Sequence, residues 1–181
     1  MSEELEVLKT VAQRLDTAGI AYMVTGSMAV NYYAVPRMTR DIDVVVELSP
    51  GDAGRICHIF QNDFFIDREA VQRSIKQKAM FNIIHKDYVI KVDFVVRKDS
   101  DYRRMEFSRR RRVSVEGCDL FIVAPEDLII SKLDWARESH SEVQFVDVRN
   151  LLACVDDLDR DYLRHWVKQM GLESLYCEVG G

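Results

Sequence analysis

The stretch YMVTGSMAVNYYAVPRMTRDIDVVVE, residues 22–47, predicts in order a strand, a Gly-Ser turn, a short helix, a loop, and a second strand that opens with two aspartates one residue apart. The apolar run 20–24 suits a buried strand; Thr25-Gly26-Ser27 breaks it before a helical segment over 28–34, which Pro36 ends. A turn that delivers Gly26 and Ser27 to a helix N-terminus makes a place for phosphate, because the first backbone N–H groups are unpaired and the helix dipole favours negative charge. From residue 41 to 48 the chain alternates, so Asp41, Asp43 and Val45 share one face and Ile42, Val44 and Val46 the other. Two aspartates at i and i+2 on a strand lie about 6.6 Å apart and point the same way. Their oxygens suit one divalent ion or a pair of ions, and oxygen-only ligands favour Mg²⁺ or Mn²⁺ over Zn²⁺.

Outward from this stretch, the 181 residues make one domain of ordinary size, long enough to bury a genuine core. Hydrophobic residues are 48% and charged residues 30%, the balance of a globular rather than a disordered chain. No apolar run approaches the length of a membrane span, and the acidic, amphipathic start MSEELEVLK is unlike a signal peptide, so a cytoplasmic protein with no membrane partner is expected. The four cysteines, at 57, 118, 154 and 177, form no C-x-x-C pair and are expected reduced. The histidines at 58, 85, 140 and 165 show no H-E-x-x-H spacing, and there is no G-x-S-x-G elbow or P-loop. The net charge of −5 argues against a general nucleic-acid coat.

The remaining periodicities predict helices over 3–18, 52–62, 69–75, 101–110, 125–138, 143–155 and 159–169. Strands are expected over 79–85 and 88–97, joined by a tight Lys86-Asp87 turn, and over 113–115 and 120–123 around Gly117. Residues 64–66 are ambiguous, and the last ten residues add at most one turn. In IKVDFVV, Asp93 shares a face with Lys91 and Val95, and so supplies a third carboxylate to hold metal and to draw the proton from an attacking hydroxyl. The order reads as α+β (mixed α/β), a mixed twisted sheet flanked by helices over 1–124, then a helical cap over 125–181 packed on that core or continuous with it.

Taken together, Gly26-Ser27, then Arg37, Thr39, Asp41, Ile42 and Asp43, and later a lone Asp93 in an apolar strand resemble the signature of the polymerase-beta-like nucleotidyltransferase superfamily. Farther on, PEDLIISKLDWAR and FVDVRNLL resemble the helical portion of small AbiEii-like nucleotidyltransferases, with Lys132, Arg137 and Asp147 at the matching positions. The resemblance implies transfer of a nucleoside monophosphate from an NTP, such as ATP, to an acceptor hydroxyl, with release of pyrophosphate. It implies Asp41, Asp43 and Asp93 as catalytic, metal-holding residues, and Gly26, Ser27, Arg37, Arg40, Lys132 and Asp147 at the nucleotide. The acceptor stays open between a small molecule, tRNA and a protein. A toxin paired with an antitoxin partner, and a homodimer, are compatible with the same resemblance. A non-catalytic nucleotide-binding or interaction module of the same fold is the alternative from another class.

Several residues carry two readings. Ser27 can cap a helix and bind phosphate at once. Lys132 beside an apolar stripe either meets phosphate or extends to water. Arg37 and Arg40 either contact nucleotide or pair with Asp41 and Asp43. The basic run 109–112 reads as a solvated edge ahead of a landing strip for tRNA.

Overall fold

A computed structural model of the protein describes residues 2–139 and 141–180; His140 lies outside the described residues. The strands are β1 (Tyr22–Thr25), β2 (Asp41–Val46), β3 (Phe64–Phe65), β4 (Met80–His85), β5 (Lys91–Val96), β6 (Arg111–Val115) and β7 (Cys118–Ile122), and they form a single sheet in the order β3-β4-β5-β2-β1-β7-β6. The β2–β5 and β1–β7 pairs are parallel and the others antiparallel, so the expected mixed sheet is present. Around it run α1 (Glu3–Thr17), α2 (Gly26–Tyr33), α3 (Ala53–Phe60), α4 (Arg68–Gln77), α5 (Asp101–Ser108), α6 (Pro125–Ser139), α7 (Glu142–Cys154), α8 (Arg160–Gln169) and α9 (Glu173–Glu178).

The alternation of β2 and β5 places Ile42, Val44, Val46, Val92, Phe94 and Val96 on one face, all at 0% exposure. The Phe60 ring of α3 packs against Phe94, and Arg14 of α1 lies over Phe60 while its guanidinium grips Asp63 at 2.6 Å. The opposite face carries Asp43 and Asp93 and is overlain by α2 and α6, which contact each other. Leu128, Ile129 and Leu133 of α6 belong to the same buried cluster as the strands.

Three local details differ from the sequence reading. The β4–β5 connection is longer than a two-residue turn: Val89 N–H donates to His85 O, and His85 N–H to Ile90 O, with Val89 in the left-handed region at φ 54°. Residues 64 and 65 form a short edge strand on β4. The final segment adds α9, whose Tyr176 is buried against the helical half.

The basic run is not a free patch. Arg109 donates from Nε to Asp127 Oδ2 and from Nη2 to Glu126 Oε2, both at 3.0 Å, and lies 3.8 Å over the Tyr162 ring. Glu126 and Asp127 open α6 as expected but are 1% and 0% exposed. Glu126 also accepts the Asp159 N–H at the start of α8, and Asp127 accepts the Tyr162 hydroxyl at 2.7 Å. Arg110 stacks on Phe107 and Phe121, Arg111 reaches Glu126 at 3.7 Å, and Arg112 pairs with exposed Asp119. One arginine therefore ties the entrance of β6 to two helices.

Arg109→Ala would leave two buried carboxylates without their main partner. It is expected to destabilise the protein by about 3 kcal/mol, whereas Arg112→Ala should cost less than about 1 kcal/mol; urea unfolding of the two variants measures the difference.

Candidate functional site

The parallel register of β2 and β5 pairs Asp43 with Asp93 directly and Asp41 with Lys91. On the other side of β2, Thr25 of β1 is opposite Asp43, and α2 begins at the next residue, Gly26. The cradle expected at the Gly-Ser turn and the acids expected on the strand are therefore neighbours. Gly26 adopts φ +61°, and a Cβ there would come within 2.0 Å of Asp43 Oδ2. Only glycine allows both the left-handed conformation and this approach of carboxylate to backbone. No side chain caps α2 at Thr25, so its first-turn amides remain available to a ligand.

The three acids differ in environment. The Asp41 side chain is 58% exposed and that of Asp93 is 9% exposed. Burial pushes the Asp43 carboxyl above its ordinary range, and the neighbouring Asp93 adds to the rise. Lys91, on the same face, places Nζ 2.8 Å from Asp93 Oδ2 and 3.6 Å from Asp41 Oδ1. The hydrogen bond to Asp93 raises the Lys91 ammonium above its ordinary range. The other oxygen of Asp93, Oδ1, is buried without a hydrogen-bond partner.

Among the described residues, no three His, Cys, Asp or Glu side chains already form a metal cage. The donor set of carboxylate oxygens, one of them orphaned, nevertheless fits a hard divalent cation, with which the Lys91 ammonium between Asp41 and Asp93 would compete. Lys91 was not singled out by the sequence reading. Alternation put it on the acidic face, and that was the signal available.

A second group of charges lies on the other side of the cradle. Asp147 of α7 is fully buried, its Oδ1 accepting from Arg37 Nε at 3.0 Å and its Oδ2 from Arg37 Nη2 at 3.0 Å and from Lys132 Nζ at 2.7 Å. Arg37 Nη2 also donates to Ser27 Oγ at 2.6 Å, which leaves the Ser27 hydroxyl hydrogen free to point elsewhere. Burial alone would raise the Asp147 carboxyl, but hydrogen bonds from Arg37 and Lys132 outweigh it and hold the group below its ordinary range. Neither Arg37 nor Arg40 pairs with Asp41 or Asp43 among the described residues: Arg37 is committed to Asp147 and Ser27, and Arg40 is exposed. Asn31 pins the Arg37 backbone through both atoms of its side-chain amide, donating to Arg37 O and accepting from Arg37 N–H. This contact was invisible in the sequence. Arg137 of α6 lies farther along, bonded to Asp134 and to Met170 O.

Between these groups is a cavity of about 190 Å³ lined by Gly26, Ser27, Asp43, Lys132, Trp135 and Gln144, among others. It brings together backbone donors, a hydroxyl, a cation and a buried acid. Such a set can hold a polyphosphate at one end and a metal-bridged phosphate at the other.

No protein-family model matches the chain, and no curated protein matches it in sequence. Solved structures do match it in fold. The antibiotic-resistance factor ANT(2'')-Ia aligns with a TM-score of 0.62 at 12% identity, over 97% of this chain and 96% of its own. An antigenic nucleotidyltransferase-like protein from Paracoccidioides brasiliensis aligns with a TM-score of 0.55 at 19% identity, over 84% and 76%. The lincosamide antibiotic adenylyltransferase LnuA, in a lincomycin-bound structure, aligns with a TM-score of 0.55 at 10% identity, over 86% and 98%. At these identities the likeness establishes the fold: the chain has a nucleotidyltransferase-like α/β architecture.

Two substitutions should shift stability with opposite signs. The Asp43 carboxyl is raised in the folded state, so its contribution is present below the ordinary carboxylate pKa of about 3.9 and is lost as pH rises. Asp43→Asn is therefore expected to melt a few degrees higher than the parent at pH 7 without metal, with the gap closing below about pH 4. The Asp147 carboxyl is lowered, so its contribution is present above about pH 3.9 and is lost as pH falls. Asp147→Asn should cost about 3 kcal/mol at neutral pH, and the deficit should shrink in acid; thermal melts across pH 3 to 8 report both. Gly26→Ala must displace Asp43 and hold a left-handed backbone, and is expected to destabilise the protein by about 2 kcal/mol in urea unfolding.

Proposed function

We propose that this protein is a metal-dependent nucleotidyltransferase that transfers a nucleoside monophosphate from an NTP to an acceptor hydroxyl. The observation that carries this reading is the in-register pairing of Asp43 with Asp93 beside the Gly26 turn, on the face that also receives Lys132. The terminal phosphates would lie against the α2 amides and the Ser27 hydroxyl, with Lys132 neutralising their charge. Asp147 and Arg37 act as positioning residues, since buried Asp147 holds Lys132 and Arg37, and Arg37 in turn holds Ser27. Asp41, Asp43 and Asp93 would hold Mg²⁺ or Mn²⁺, which when bound screens the phosphate charge and lowers the barrier to attack.

In the transfer, the acceptor oxygen forms a bond to the α-phosphorus, the bond from that phosphorus to the bridging oxygen breaks, and pyrophosphate leaves with the electron pair. The acceptor proton passes to Asp93, whose Oδ1 has no competing hydrogen bond. The cations and amides of the cradle stabilise the negative charge that accumulates on the departing group.

The architecture of this site argues against a non-catalytic module. Keeping Asp43 beside Asp93 in a partly buried position is unfavourable, as the raised Asp43 carboxyl shows, and phosphate binding alone does not require it. The basic run offers a tRNA acceptor less than its four arginines suggest, because Arg109 is bound to buried Glu126 and Asp127 and only Arg111 and Arg112 are exposed. No helix among the described residues is long and apolar enough to cross a membrane.

Incubation of the purified protein with each α-labelled NTP, Mg²⁺ and a cell extract is expected to move label onto a product and release pyrophosphate. Asp93→Asn should lower the rate by at least about 100-fold while retaining the fold by circular dichroism. Label transfer at the parental rate by that variant would overturn the assignment.

A further inference from the structure

A second cavity, of about 420 Å³, adjoins the cradle and shares Thr25, Val95, Ser131 and Trp135 with it. Its floor includes Val45 and Val95, which are paired in register two residues beyond Asp43 and Asp93 on the same sheet face. One wall is Trp135, a large aromatic residue that is 63% exposed and is not part of the buried core. Its indole lines both cavities and so stands at their junction. Trp135 follows Lys132 by three residues on α6, so the helix face that offers the ammonium to the cradle offers the indole about one turn farther on.

The charged lining leaves little for a polyamine. Glu106 is bonded through both oxygens to Arg103 and through Oε1 to Ser131. Asp134 uses Oδ1 for Arg137 and Oδ2 for Arg103. The carboxylates are thus neutralised from within, while Arg97 and Lys98 also line the cavity and leave its charge positive, over an apolar floor and beside an aromatic wall. A flat ring fits the floor and the wall, the surplus of cations suits a ligand that carries phosphate, and a polycation has no uncommitted carboxylate to meet. Volumes of this order accommodate a ligand of nucleoside size.

We propose that this second cavity is a nucleobase site in which the ring stacks on Trp135. The inference rests on the nucleotidyl-transfer reading for its neighbour: with the terminal phosphates at Lys132, the nucleoside at the other end of the triphosphate has the adjoining cavity within reach. The ring belongs either to the donor NTP or to the terminal nucleotide of an acceptor, and both present the same face to the indole. Stacking of a base on an aromatic side chain is sequence-tolerant, so Trp135 would set affinity for a ring rather than choose among bases.

Tryptophan emission separates the sources, with Trp166, packed against Tyr102 in the helical half, as an internal reference. ATP with Mg²⁺, inorganic tripolyphosphate with Mg²⁺, and a short oligoadenylate are titrated separately, with calorimetry in parallel. Quenching by ATP but not by tripolyphosphate assigns the donor ring; quenching by oligoadenylate assigns the acceptor ring; either supports the site. Trp135→Leu should abolish the quench and weaken binding of the quenching ligand about tenfold, leave tripolyphosphate binding unchanged, and be rescued to within about threefold by Trp135→Phe. Equal binding of ATP and oligoadenylate by the parent and Trp135→Leu overturns the proposal, as does a quench by tripolyphosphate equal to that by ATP. If calorimetry detects neither ATP nor tripolyphosphate, the nucleotidyl-transfer reading fails; a Trp135-dependent oligoadenylate quench would then uphold the base site alone, and its absence would overturn that too.

Discussion

Two carboxylates held side by side on parallel strands are the constraint around which the molecule is arranged. Asp43 and Asp93 are neighbours because β2 and β5 pair in register, and that register is held by the reverse face, where Ile42, Val44, Val92 and Phe94 are completely buried. A slip of one residue would turn those apolar side chains toward the acidic face and bury the acids in the core. Burial first, and the like charge of Asp93 second, raise the Asp43 carboxyl, so the ionised pair costs the folded state stability. Apolar burial on one face thus sustains an unfavourable arrangement on the other, and that strain makes the acidic face a place for a cation.

The surroundings answer this charge in graded fashion. Lys91 supplies a cation within the sheet itself, reaching Asp93 closely and Asp41 more loosely. Gly26 has no side chain where Asp43 needs room. Lys132 and Arg37 approach from outside the sheet, and both are held by one buried carboxylate, Asp147, 110 residues beyond Arg37. The helical half therefore helps to build the site, α7 contributing the anchor and α6 the ammonium and the indole, while the loop after α2 supplies the guanidinium. Arg109 plays a comparable part at the far end of α6, where Glu126 and Asp127 fasten β6 to α8.

Much of this was legible in the chain because it depends on local pattern. The period of two in DIDVVVE and IKVDFVV determined which residues share a face, and the Gly-Ser break located the start of α2 to within two residues. The tight Lys86-Asp87 turn did not hold, since backbone hydrogen bonds around His85 and Ile90 draw three further residues into the connection. The basic run read as a solvated edge, which Arg111 and Arg112 are, but a string of arginines carries no sign that Arg109 is held by buried carboxylates. Its partners, Glu126 and Asp127, were recognised as helix-opening residues, but their burial depends on packing with α8.

The sequence by itself determined the elements, the two faces of the central strands and the candidate acids, because alternation and turn chemistry act over a few neighbouring residues. Only the tertiary structure decided which charges meet: that Lys91 lies between Asp41 and Asp93, that Asp147 binds Arg37 and Lys132, and that Trp135 stands open between two cavities. Apart from Lys91 and Asp93, neighbours on one strand, those pairings join residues 15 to 110 positions apart, and they are set by strand register and helix packing over the whole fold. An ion pair takes its energy from distance and burial, and neither is written in the spacing of residues along the chain.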